Sequence, residues 1–342
     1  MSGIAEYIPE RPVHPPDGYP LELPPEEVRK RYLDLLGDFR TPLCDPQFRI
    51  VDETALPGGV VRQRVEYDVE PNDRVSAYHL FRKGIPDSAP GLVSIHAHGG
   101  GADFALGKDM NAMPRADDPG QYAYHAALHG FRALAPDALC FGERRSAFGY
   151  AKEFMDEIVS HAELCARDKC LAWKSVYDNS RAVEVLESLG AKRIGCIGHS
   201  GGSTQGYLLA AANPKIEAAA CLASFATLRG QFYQYRAWHC LYHYIPGMVK
   251  AGIDFDQVAA TVAPRKMFLA RGTLDAGTPE SMFRDFVDAI RKRCRDENLP
   301  DDCLGVFESE AGHGITRELL AEAMAFLHNA MSSAPRADDM AL

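Results

Sequence analysis

Gly198-His199-Ser200-Gly201-Gly202 sets a serine among close-spaced glycines, after an apolar run at 193–197 and before a small-residue stretch at 203–212. A serine on so tight a strand-to-helix turn is held in strained backbone geometry, with its hydroxyl clear of the main chain. Two residues to either side, strand and helix come too close for a Cβ, which gives Gly198 and Gly202 a steric reason. A serine hydroxyl is a weak nucleophile until a base takes its proton, so the motif calls for partners elsewhere in the chain.

A base should come from a histidine in a loop after a strand. His313 lies in Glu308-Ser309-Glu310-Ala311-Gly312-His313-Gly314, after an apolar run at 304–307 and before a helical pattern at 319–331. Glycines on both sides leave its imidazole unobstructed. A loop histidine taken alone is an ordinary surface residue; its position after the last strand of a sheet already carrying the serine turn makes it the candidate base. Asp275 follows the apolar run at 266–270 and precedes Thr278-Pro279, which open the next helix. It could simply serve that turn, but Gly277 and Thr278 already supply turn and cap. Asp275 is therefore the candidate carboxylate to orient the histidine and stabilise its cation. Glu308 and Glu310 are second-choice acids, because they would come from the histidine's own strand.

Acyl transfer also needs donors for the oxyanion of a tetrahedral intermediate. The backbone N–H of Gly201 follows the serine directly. His96-Ala97-His98-Gly99-Gly100-Gly101 follows the apolar run at 92–95 and frees backbone amides to turn towards a ligand, with Gly100 and Gly101 the expected donors. The loop is not a phosphate loop, since no G-K-[ST] follows. His96 and His98 have no evident third metal ligand, so a metal site there is not expected. His98, His199 and the aromatic, histidine-rich stretch that includes Tyr233, Trp238 and His239 are candidate pocket residues.

The elements that must position these groups follow from periodicity. Residues 25–36 read as an amphipathic helix behind a proline-rich arm, and 1–48 as a segment apart from a catalytic unit at 49–342. Alternation at 60–69 and 76–81 gives a hairpin. Apolar strands then alternate with helices: strands at 91–96, 131–135, 193–197, 216–223, 266–270 and 304–307, helices at 121–128, 175–189, from 278, and 319–331. This predicts an α/β chain with a mostly parallel, twisted sheet of about eight strands and helices on both faces. Residues 224–262 break the rhythm and read as a small cap over a pocket.

The chain has 342 residues, 46% of them hydrophobic, with a formal net charge of −10. No basic block offsets that charge, so a nucleic-acid partner is not expected. The N-terminus lacks a signal-peptide pattern and no apolar run could cross a bilayer, so a cytoplasmic protein without a membrane partner is expected. The nine cysteines show no metal-like spacing and suit a reducing compartment. The arm, which carries no chemical motif, is expected to pack against a second copy in a homodimer.

With these motifs in hand, the chain resembles the α/β-hydrolases, and more narrowly their dienelactone-hydrolase-like and acetyl-xylan-esterase-like branch. The resemblance runs from about Arg62 to the C-terminus and rests on several stretches. They are 96–108 (HAHGGGADFALGK), 135–144 (APDALCFGER), 195–212, Tyr244-Ile245-Pro246-Gly247, and Ala263-Pro264-Arg265 followed by Asp275. It implies Ser200 as nucleophile, Asp275 as acid and His313 as base, acting on a small-molecule carboxylic ester or lactone without a cofactor. Dienelactone hydrolases use a cysteine nucleophile, and the serine here shifts the expectation towards general esters. Asp137 and Arg144 are expected to brace the loop beside the site. The same triad could serve C–C, amide or thioester cleavage, and a binding protein on a hydrolase scaffold is the alternative from another class.

Overall fold

The computed structural model describes residues 14–99, 105–146, 154–235 and 239–332. Strands β1 (Arg49–Leu56), β2 (Val60–Glu70) and β3 (Asp73–Arg82) make an antiparallel start. They are followed by β4 (Gly91–Ile95), β5 (Arg132–Pro136), β6 (Ile194–His199), β7 (Ile216–Leu222), β8 (Lys266–Gly272) and β9 (Leu304–Ser309). All join one sheet in the order β1-β2-β3-β5-β4-β6-β7-β8-β9. β3 meets β5 antiparallel, and every pairing from β5 to β9 is parallel. The helices are α1 (Pro25–Leu36), α2 (Asp109–Ala112), α3 (Tyr122–Leu128), α4 (Phe154–Cys165) and α5 (Leu171–Ser188), then α6 (Gly201–Ala212), α7 (Met248–Ala251), α8 (Phe255–Ala260), α9 (Glu280–Asp296) and α10 (Arg317–Ser332).

Alternation along the central strands divides their side chains between two cores. Val93, Ile95, Cys196, Cys221 and Leu269 face α1, α5, α6, α8 and α9. Leu92, Ile197, Leu222 and Ala270 face α3 and α10. This is the expected α/β sandwich, with nine strands among the described residues where about eight were expected. The extra strand is β1, whose residues are exposed except for a half-buried Leu56. Its antiparallel ladder with β2 holds it, so no hydrophobic period marks it in the sequence.

In α1, Val28, Tyr32 and Leu36 are buried in the same core as the sheet, and the Tyr32 hydroxyl donates to Leu208 O at 2.9 Å. The apolar face of α1 is thus covered by the chain itself. Among the described residues, no helix is long and apolar enough to cross a membrane.

Candidate active site

Ser200 leaves β6 at φ 55°, ψ −123°, a left-handed backbone that an L-residue adopts only under constraint. Part of the constraint is the Ser200 N–H bond to Leu222 O at the end of β7, at 2.8 Å. The glycines supply the rest. A Cβ on Gly198 would run into the Gly202 carbonyl, and one on Gly202 into Ile95 O and His96 O. On Gly201 it would lie 2.6 Å from the His98 Cβ, so the residue after the serine rests against the loop that leaves β4.

Three sequence-selected residues come together here from three strand ends. His313 Nε2 lies 2.8 Å from Ser200 Oγ, and His313 Nδ1 lies 2.8 Å from Asp275 Oδ2. Backbone bonds staple the acid and base loops to each other: Thr273 N to Ser309 O at 2.8 Å, Leu274 N to Ala311 O at 2.9 Å. Asp275 is buried while His313 is half exposed. Burial alone would raise the Asp275 carboxyl. The bond and charge of His313, the Gly277 N–H and Thr278 outweigh it and hold the carboxyl below its ordinary range. Glu308, a second-choice acid, instead pairs with Arg271 at 2.8 Å.

The three groups open on a cleft of about 940 Å³. His98, His199, Gly201 and His239 line it. Tyr233 is not among its described lining residues; its ring meets Tyr19 and Phe232 in T-shaped contacts. Gly100, Gly101 and Trp238 lie outside the described residues. The cleft also has walls that the motifs did not point to: Arg115, Met110 and Phe154, the last from α4.

His239, Cys240 and His243 hold their ligand atoms within 4.8 Å of one another, the one such cluster among the described residues. Their polar atoms satisfy each other and their neighbours. Cys240 N donates to His239 Nδ1 at 2.9 Å, Cys240 Sγ meets His243 Nδ1 at 3.4 Å, and His243 Nε2 meets Thr204 Oγ1 at 3.0 Å. Burial pushes the His239 imidazole down to about 4 and His243 well below its ordinary value, so both are neutral. His96 uses both ring nitrogens on the backbone of Ala97 and Ala138.

Buried ion pairs brace the loop after β5. Asp137 accepts from the Lys108 side chain at 2.6 Å and from its amide at 2.7 Å. Arg144 bridges Asp73 at 2.7 Å and Asp178 at 2.8 Å, which matches the structural role expected of Asp137 and Arg144.

Among solved structures, the chain superposes on a glucuronoyl esterase from Solibacter usitatus with a TM-score of 0.61 at 15% identity, over 89% of this chain and 92% of that one. Acetyl xylan esterase 1 from Thermoanaerobacterium sp. gives 0.59 at 14% identity, over 90% and 94%. A protein from Bacteroides fragilis, proposed to be an acetyl xylan esterase, gives 0.65 at 17% identity, over 88% and 81%. The chain has the α/β-hydrolase fold. No protein-family model and no curated protein matches it in sequence. In this fold Ser200 stands on the turn between β6 and α6, with Asp275 after β8 and His313 after β9.

Proposed function

We propose that the chain is a serine hydrolase that cleaves a carboxylic ester or lactone through an acyl-enzyme on Ser200. The observation that carries the reading is the relay of 2.8 Å contacts from Ser200 through His313 to Asp275, at the mouth of a cleft large enough for a substrate. His313 takes the serine proton as Oγ attacks the carbonyl, and Asp275 stabilises the imidazolium and fixes its tautomer. The Gly201 N–H, with the amides of Gly100 and Gly101, receives the oxyanion. His313 then gives its proton to the leaving alcohol, and water releases the acyl group by the same steps in reverse.

The cleft mixes Asp109, Arg115 and Gln121 with a few apolar side chains, which suits a polar alcohol and a short acyl group. The structures that share the fold are named as esterases of glucuronoyl and acetyl-xylan substrates, and this supports a sugar ester as the substrate class. Residues 224–262, which supply His239 and Cys240, act as the cap of the cleft. The test is turnover of p-nitrophenyl acetate and of acetylated sugars by the wild type and Ser200→Ala. Turnover should vanish in the variant, and an unchanged rate would sink the assignment.

A further inference from the structure

His98 is where the two sides of the candidate oxyanion region meet. Its backbone abuts Gly201, as the Cβ clash at that glycine shows. Its Nδ1 donates to the carbonyl of Gly99 at 2.9 Å, and Gly99 turns the chain at φ +65°. Its Nε2 lies 2.7 Å from Glu157 Oε2. Glu157 comes from α4, and its side chain is 0% exposed. Its other oxygen, Oε1, has no hydrogen-bond partner among the described residues.

Proton accounting makes this contact informative. A carbonyl only accepts, so Nδ1 carries a proton, and the contact with Glu157 requires a second one. Imidazolium with carboxylate and imidazole with carboxylic acid are both neutral overall. Removing one proton would leave a buried net charge and cost one of the two bonds. Burial alone would lower the His98 imidazole; Glu157 and the Gly99 carbonyl together raise it above its ordinary value.

Packing does not explain the carboxylate. A buried carboxylate is destabilising unless paired. The rings of Phe141, Phe154 and Tyr242 stand around His98. The carrier helix is also inverted: Glu157 and Leu164 are buried, while Met155, Ile158 and Val159 are 49%, 46% and 58% exposed. α4 therefore turns a charged side chain inward to meet His98 and leaves apolar ones outside.

We propose that Glu157 is a positioning residue of the ester-cleaving site: through His98 it fixes the Gly99 turn against Gly201 and so sets the oxyanion-binding geometry. The inference rests on the function proposed above. It is tested with Glu157→Leu and Glu157→Gln, reading kcat and KM on p-nitrophenyl acetate and the Ki of a trifluoromethyl ketone, whose serine adduct mimics the oxyanion. Losing one oxyanion donor outright costs about 10²–10³-fold, so a displaced loop in Glu157→Leu should lower kcat by about tenfold or more. KM should stay nearly constant and Ki should rise in parallel with the fall in kcat. Glu157→Gln, whose amide can donate to Nε2 of a neutral His98, should restore most of both. Should Glu157→Leu fail to fold, Glu157→Asp, one methylene shorter, takes its place with the same readings. Unchanged kcat and Ki in a folded variant would overturn the inference while leaving the function intact. Full activity in Ser200→Ala would overturn the function itself.

Discussion

His199 Nε2 donates to the backbone carbonyl of His313 at 2.6 Å, so the residue before the candidate nucleophile holds the loop that carries the candidate base. Burial, then the nearby His313, pushes the His199 imidazole down to about 4. It is therefore neutral in the working range and adds no charge beside the imidazolium that His313 becomes. His199→Ala should lower kcat by about 10–100-fold with little change in KM, since misplacing a catalytic group by about 1 Å has that scale of effect. His199→Gln, whose amide reaches where Nε2 sits, should recover part of it. Steady-state kinetics on p-nitrophenyl acetate decide the matter, and equal activity in all three proteins would remove the coupling.

Asp275 accepts from the Gly277 N–H at 2.8 Å through Oδ1 while Oδ2 faces His313. An asparagine could keep the turn but would offer His313 an amide donor in place of an acceptor. Asp275→Asn should therefore fold normally and lose about 10³–10⁴-fold in kcat through the wrong tautomer. Circular dichroism with kinetics tests both halves.

Two glycines, one beside the Ser200 turn and one inside α6, make opposite predictions. A Cβ on Gly202 would press on Ile95 O and His96 O, both backbone atoms that cannot rotate away. On Gly206, in α6, the nearest atoms would be the Cys196 and Cys221 sulfurs at 3.8 Å, an ordinary contact. In urea unfolding, Gly202→Ala should lose about 3 kcal/mol or more. Gly206→Ala should be neutral or gain up to about 1 kcal/mol from helix propensity.

Ser200, Asp275 and His313 were legible in sequence because each follows a strand whose apolar run is continuous, and because chain order fixes which loops share an end of the sheet. Glu157 was not, for two reasons. It lies 59 positions from His98, and it sits on a helix whose Met155, Ile158 and Val159 are exposed, so the usual rule of burial assigns it to solvent. β1 escaped for a related reason: pairing without burial leaves no periodic trace. Tyr233 was drawn towards the pocket by composition alone, whereas its ring is occupied by Tyr19, far away in the chain.

Several histidines are buried as neutral rings, and this sets the acid limb of stability. Burial, with Arg132 nearby, pushes His79 down to about 3, and burial takes His239 down to about 4. A histidine with a depressed folded value binds its proton more readily in the unfolded chain. Its contribution is therefore complete above about pH 6.5 and is lost as pH falls towards 4 and 3. The melting temperature should drop by about 5 °C or more between pH 6.5 and pH 4. His79→Phe should flatten that limb, and an equally steep limb in the variant would assign it to other groups.

The central claim is that Ser200 is acylated through His313. Intact-mass and peptide mass spectrometry after exposure to a fluorophosphonate reads this directly. The account predicts one adduct, on the peptide carrying Ser200, absent from Ser200→Ala and strongly slowed in His313→Ala. Labelling of a different residue, or none in the folded wild type, would contradict it.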